Sequence, residues 1–128
     1  KSTVQQALAK DEHINQELLD YIKRLKAAYK ICLLSNIGRG GAERYFQGIN
    51  TAEYFDDMVL SGEVGLVKPA AEIYLLAAKN LSAEPSECVF IDDGEHNCAG
   101  ARAVGMQAII YRNFAQMKQE LAQILSKT

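Results

Sequence analysis

The sequence predicts an α/β fold in which helices cover both faces of a doubly wound parallel sheet. Two unbroken apolar runs, residues 31–34 and 88–91, are typical of strands that are buried on both faces. Apolar residues recur at helical spacing before, between and after these runs, so that strands and helices alternate along the chain. Because parallel strands are joined by crossover helices, this alternation favours a parallel sheet.

The composition is that of one soluble domain without a nucleic-acid or membrane partner. The chain has 128 residues and a formal net charge of -2, and its lysines and arginines are scattered rather than clustered. No apolar run approaches the roughly 20 residues that span a bilayer, and the first residues lack a signal-peptide core. We therefore expect a cytoplasmic protein that binds neither nucleic acid nor a membrane.

The three cysteines predict buried free thiols. Cys32 and Cys88 lie in apolar runs, Cys98 follows closely, and none has the CxxC spacing of a zinc site. An odd number of cysteines in such positions is unlike a disulfide framework.

In the amino-terminal half, the clearest element is an amphipathic helix over residues 15–28, followed by a strand over residues 31–34. Leu18, Ile22 and Leu25 recur at helical spacing and form the apolar stripe of this helix. The strand ends at a hydroxyl and an amide, Ser35-Asn36.

The glycine-bearing middle of the chain predicts only short elements. We expect either a short helix or a loop over residues 42–47, then one helical turn capped by Thr51 and a short edge strand over residues 58–60. The glycines within residues 61–67 predict a loop there.

The carboxyl-terminal half continues the alternation of helices and strands. Lys68-Pro69 opens a helix, because proline is accepted in a first turn. The strand at residues 88–91 is followed by Asp92-Asp93 and by a helix of small residues that ends before Gly105. The remaining elements are a strand over residues 107–111 and a last helix with five inward residues: Phe114, Met117, Leu121, Ile124 and Leu125.

Three polar segments occupy comparable places at strand ends or a helix entrance: Ser35-Asn36, Lys68 and Asp92-Asp93. Each alone is ordinary, since such residues also form turns, solvated surface and helix caps. Together they offer donors for phosphoryl oxygens, a cation to offset their charge, and carboxylates to hold Mg²⁺. The glycines at 38, 40 and 41 lack the context of a nucleotide-binding motif.

These segments resemble the motifs of the haloacid dehalogenase-like hydrolases, whose core is a Rossmann-like doubly wound parallel sheet. The resemblance rests on residues 31–36, on Lys68-Pro69, and on residues 90–93 with Asn97, and it extends from about residue 15 to 113. It covers three of the four motifs of that family, in order.

The resemblance implies a role for each matched residue. Ser35 would hydrogen-bond the phosphoryl group, with Asn36 beside it, and Lys68 would compensate charge on nucleophile and phosphate as the catalytic lysine. The metal ligands would be Asp93, as the principal Mg²⁺ ligand, and Asp92, directly or through water. Asn97 would orient this loop.

The first motif of the family, an apolar strand that ends in a DxD pair carrying the nucleophile, has no match here. Asp11 and Asp20 are the only aspartates before Ser35, and neither follows an apolar run. We therefore expect residues 1–14 to be a remnant of a helical cap or a tail, and residues 15–128 to be a core domain that lacks its central strand. The parent reaction would be Mg²⁺-dependent phosphomonoester hydrolysis through an aspartyl-phosphate, with this truncated chain inactive alone.

Three other functions are compared with this one. A non-catalytic binding or interaction module could keep this fold and its anion pocket. Dehalogenation is a further activity of the family, but the dehalogenases do without a metal, and Asp92-Asp93 suits one. A phospho-receiver domain would place its acidic residues before its hydroxyl and lysine, the reverse of the order seen here.

A missing central strand would also affect association. The strands at residues 31–34 and 88–91 would either pair directly or keep open edges about 10 Å apart, twice the spacing of neighbouring strands. Open edges favour pairing with another chain, so we expect a homodimer or association with a missing segment. The other expected partner is a small phosphorylated molecule.

Overall fold

The computed structural model describes residues 3–6, 16–35, 48–65, 68 and 70–126, and within them five parallel strands form one sheet. The strands are β1 (Thr3–Gln6), β2 (Lys30–Ser35), β3 (Asp57–Leu60), β4 (Cys88–Asp92) and β5 (Gln107–Ile110). Their order across the sheet is β3-β2-β1-β4-β5, and all neighbouring pairs are parallel. The predicted α/β class is confirmed.

Helices cover both faces of this sheet. They are α1 (Gln16–Lys26), the single turn α2 (Ser61–Val64), α3 (Ala71–Asn80), α4 (Glu95–Ala103) and α5 (Phe114–Leu125). Alternate residues of β2 point to opposite faces, so that Ile31 and Leu33 pack with α1 and α5, whereas Cys32 and Leu34 pack with α3 and α4. The sheet is thus the middle of three layers, as its apolar strands predict.

Local signals in the sequence mark the start of α5 and the end of α4, and the end of α4 before Gly105 is as predicted. Asn113 caps α5 by accepting a hydrogen bond from the backbone N–H of Gln116, whose side chain accepts in return from the N–H of Asn113. Gly105 follows the end of α4 with φ of +98°, a left-handed conformation in which a side chain would be strained.

Three local predictions need correction. Residues 61–64, expected as loop, form the turn α2, which ends at Gly65 with φ of +76°. The turn Thr51–Glu53 is capped by Asn50 rather than Thr51, because the Asn50 side chain accepts from the N–H of Ala52. Helix α3 begins at Ala71 and not at Lys68-Pro69. The helix or loop predicted over residues 42–47 lies outside the described residues.

The largest correction concerns the amino terminus. Residues 3–6, expected within a helical remnant or tail, form β1 and lie between β2 and β4 in the centre of the sheet. The central strand is therefore present, and neither direct pairing of β2 with β4 nor a pair of open edges is seen. The physical reason is that the backbone groups of β2 and β4 need partners once they are shielded from water, and any extended segment can supply them.

The predicted free, buried thiols are confirmed for Cys32, Cys88 and Cys98. Burial raises the pKa of each, and that of Cys88 reaches about 11 from an ordinary 9.0, with the charge of Glu87 adding to the effect. Since the unfolded chain releases these protons at lower pH, their contribution to stability is complete below about pH 9 and is lost as the pH rises through the folded values.

We therefore expect the free energy of unfolding to fall between about pH 9 and 11, and to fall less steeply in Cys88→Ala. Urea unfolding under reducing conditions across this pH range measures both slopes. An identical pH dependence in Cys88→Ala and wild type would contradict the prediction.

Candidate functional site

The polar residues singled out in the sequence meet at the carboxyl edge of the sheet. β2 ends at Ser35, which is 5% exposed, and β4 ends at Asp92, which is 1% exposed. Leu33 and Ile91 both lie opposite Gln6, so two residues further along, Ser35 is level with Asp93. With β1 between them, the two strands are about 10 Å apart, which leaves room for a small anion above the edge.

A buried ion pair lies at this edge. The Lys68 ammonium donates to Oδ2 of Asp92 at 3.2 Å, and the two side chains are 4% and 1% exposed. The ammonium also lies 5.8 Å from the centre of the Phe90 ring. Because removing two charges from water costs several kcal/mol per ion, such a pair is weak support for stability and is more typical of a functional site.

Hydrogen bonds hold Asp92 in one orientation. Its Oδ1 accepts from the backbone N–H of Asp93 at 2.8 Å, and its backbone carbonyl accepts from the N–H of Tyr111 at 2.8 Å. The Cys98 thiol donates to the same carbonyl at 3.5 Å. The Asp92 carboxylate therefore faces Lys68 on one side and the following turn on the other.

The turn after β4 exposes a second carboxylate, that of Asp93. Gly94 follows, and a Cβ there would lie 3.1 Å from the Asn97 side-chain nitrogen, closer than nearly all Cβ contacts. Glycine thus lets the Asn97 amide approach the backbone. Across the turn, the Tyr74 hydroxyl donates to the Asn97 carbonyl at 2.7 Å.

Two weak acids near Asp92 keep their protons at neutral pH. Burial raises the pKa of Tyr74, and the Asp92 charge raises it further. The pKa of Cys98 is also raised, first by burial and then by Asp92. Both side chains therefore act as neutral hydrogen-bond donors, and the Cys98 thiol is not activated as a nucleophile.

The carboxylate oxygens at this edge suit a hard cation as ligands, but they would fill only part of its coordination shell. Asp92 and Asp93 provide carboxylate oxygens, the ligands that Mg²⁺ prefers, and Mg²⁺ needs only one or two carboxylates when waters and phosphate oxygens complete its shell. Among the described residues, no group of three or more His, Cys, Asp or Glu side chains could hold a metal ion.

The structure brings five of the six residues singled out in the sequence to this edge: Ser35, Lys68, Asp92, Asp93 and Asn97. Asn36 lies outside the described residues. Sequence reasoning missed Tyr74 and Phe90, which are fully buried beside the ion pair. A tyrosine among the inward residues of α3 was the available signal, because a buried phenol usually finds a hydrogen-bond partner.

The opposite edge of the sheet has a different character. A cavity of about 400 Å³ at the amino ends of the strands is lined by residues 26–30, 56, 81–83 and 87. Its charges are already engaged, since Lys26 pairs with Asp56 at 3.4 Å and Lys30 donates to the Leu81 carbonyl.

No helix in the described parts of the chain is long and apolar enough to cross a membrane.

The chain is similar to known proteins over most of its length. A family model described as haloacid dehalogenase-like hydrolase matches residues 3–105. D-ribitol-5-phosphate phosphatase of Bacteroides thetaiotaomicron is 34% identical over 114 residues, which are 84% of this chain and 55% of that protein. The chain thus spans about half the length of this curated relative.

Solved structures share the fold. A HAD family enzyme of Bacteroides thetaiotaomicron, crystallised with magnesium and inorganic phosphate, superposes with a TM-score of 0.73 and 26% identity, covering 81% of this chain and 58% of that one. An uncharacterised protein of Corynebacterium glutamicum superposes with a TM-score of 0.84 over 98% of this chain and 95% of its own, and at 23% identity it supports the fold alone.

Proposed function

Because the chain belongs to the haloacid dehalogenase-like hydrolases, we propose that the carboxyl edge of its sheet is the phosphate- and magnesium-binding part of a phosphomonoesterase site. The observation that carries the proposal is the buried Lys68–Asp92 pair, 3.2 Å long, at the edge where Ser35 and Asp93 also lie. The substrate class is a small phosphorylated molecule.

The phosphate would lie between the ends of β2 and β4. The Ser35 hydroxyl, with Asn36 beside it, donates hydrogen bonds to phosphoryl oxygens, and the Lys68 ammonium offsets their negative charge. Lys68 needs to move little, because the Asp92 carboxylate and the Phe90 ring hold its ammonium at the edge before any ligand arrives.

Magnesium would be held by Asp93, with Asp92 supporting it directly or through a water molecule. When bound, the ion neutralises charge on the phosphoryl oxygens and orients the group for attack. Asp92 keeps acceptor capacity for this role, because each carboxylate oxygen has two lone pairs and, among the described residues, the carboxylate accepts from one ammonium and one backbone N–H. Asn97 orients the loop that carries both aspartates.

The described chain supplies binding groups but no nucleophile of the expected type. β1 occupies the centre of the sheet with the sequence Thr3-Val4-Gln5-Gln6, which carries no carboxylate, and the first aspartate of the chain is Asp11. This feature favours the second candidate function, a non-catalytic module that binds anions and another chain. It also fits a protein that completes its site with a carboxylate from elsewhere.

We expect the 128-residue chain alone to give no turnover of p-nitrophenyl phosphate with Mg²⁺, because an aspartyl-phosphate cannot form without the aspartate. We also expect weak Mg²⁺ binding, tighter in the presence of phosphate and lost in Asp93→Asn. A colorimetric assay and calorimetric titration measure these quantities.

Asp20→Asn is the matched control, because it removes a carboxylate from the exposed face of α1 and should leave Mg²⁺ affinity unchanged. Turnover that vanishes in Asp93→Asn but survives in Asp11→Asn and Asp20→Asn would show that another nucleophile exists. Absence of both Mg²⁺ and phosphate binding would refute the proposed site.

A further inference from the structure

Two separate interactions join the segment that carries Lys68 to the turn that carries the aspartates. The first is the ion pair between Lys68 and Asp92. The second links the helix that follows Lys68 to the same turn, because Tyr74 in α3 donates its hydroxyl hydrogen bond to the Asn97 carbonyl at the start of α4. The second interaction carries no net charge.

The two interactions respond differently to a ligand. A cation at the aspartates would compete with the Lys68 ammonium for Asp92 oxygens, and a phosphate would attract the same ammonium. The bond from Tyr74 to the Asn97 carbonyl depends on neither charge. It therefore persists while the ion pair is redistributed.

The Phe90 ring connects the two interactions. Tyr74 packs edge-on against it, with ring centroids 5.2 Å apart and an interplanar angle of 85°, and the Lys68 ammonium lies 5.8 Å from the same ring. Tyr74 and Phe90 are both fully buried, so the Tyr74 hydroxyl has little freedom to move away from the turn.

We infer that Tyr74 is a positioning residue of this site: its hydroxyl, braced by Phe90, holds the turn over residues 92–97 in the geometry that binds the cation. Tyr74 contacts neither cation nor phosphate and acts through the Asn97 carbonyl. The part of this inference that concerns the bound cation rests on the proposed function. The part that concerns how Tyr74 holds the turn does not.

The test compares wild type with Tyr74→Phe, which removes one hydroxyl and keeps the ring. Amide hydrogen exchange is followed by NMR at two amides that are bonded to the turn, those of Asp93 and of Cys98, which we call the turn amides. Loss of one hydrogen bond should speed their exchange by up to about tenfold beyond any change at the β2 amides. Tyr29→Phe, which removes a hydroxyl at the opposite end of the sheet, should not.

Calorimetry supplies a second measurement that a merely structural role would not affect. In Tyr74→Phe the Kd for Mg²⁺ should rise by about three- to tenfold, because the free energy of one lost hydrogen bond corresponds to a change of that size. The Kd for phosphate without Mg²⁺ should stay unchanged. An unchanged Mg²⁺ affinity, in a chain whose wild type binds the ion, overturns the inference.

The exchange results decide the inference even without ligand binding. Equal acceleration of turn and β2 amides, or none at all, overturns it. If wild type binds neither Mg²⁺ nor phosphate, the proposed function fails, whereas selective acceleration of the turn still supports Tyr74 as its positioning residue. Should Tyr74→Phe fail to fold, Phe90→Leu replaces it and must show the same selective acceleration.

Discussion

Asp92→Asn is expected to destabilise the protein by about 3–5 kcal/mol, because it leaves the Lys68 ammonium buried without its carboxylate. Both side chains are almost fully excluded from water, so solvent cannot replace the lost partner. A loss of this size approaches the whole stability of many domains. Urea unfolding at pH 7 measures it.

The matched control is the Lys23–Glu53 pair, which has the same 3.2 Å separation but half-exposed side chains. Glu53→Gln should change stability little, because water solvates the remaining lysine. Adding Lys68→Met to Asp92→Asn should restore much of the loss, since the buried ammonium is then removed together with the carboxylate. A double variant no more stable than Asp92→Asn would contradict this account.

Gln5→Pro is expected to cost about 1–3 kcal/mol and to increase self-association, because proline removes a backbone donor from the central strand and leaves a buried acceptor unsatisfied. Gln5 lies opposite Cys32 on one side and Phe90 on the other. In a strand with neighbours on both sides, each N–H faces one neighbour or the other. Losing β1 would leave β2 and β4 with unpaired edges that favour pairing with another chain.

Urea unfolding and sedimentation velocity over a concentration series test this expectation. Gln5→Ala is the control, because it keeps the backbone N–H and should retain the pairing of β1. Equal stability and equal sedimentation of Gln5→Pro and Gln5→Ala would show that β1 contributes little to the sheet. The homodimer expected from the sequence stays a prediction. Sedimentation velocity of the wild type over the same concentration series tests it.

The two strands that flank the centre of the sheet, β2 and β4, and the site residues could be predicted from the amino-acid sequence because local patterns specify them. The apolar runs at residues 31–34 and 88–91 can be buried only as strands covered on both faces, and the polar residues that end them must then meet at one edge. This reasoning placed Ser35, Asp92 and Asp93 correctly at the carboxyl edge of the sheet.

The central strand was not readable, because its place depends on its neighbours and not on its own composition. Thr3–Gln6 has one aliphatic residue among four and lacks the apolar run of a buried strand. It is a strand because β2 and β4 both offer it backbone donors and acceptors, a requirement that appears only after the rest of the sheet is assembled.

Within the site, too, the sequence predicts some features and only the tertiary structure shows the others. The identities of Lys68 and Asp92 indicated anion and cation binding, but only the tertiary structure showed that they form a buried pair. Tyr74 and Phe90 belong to this arrangement through contacts that join α3 to β4 and α4, and no local pattern in the sequence indicates these contacts. Local pattern therefore decides which residues end each strand, whereas packing decides which side chains meet, because long-range contacts leave no periodic trace in the chain.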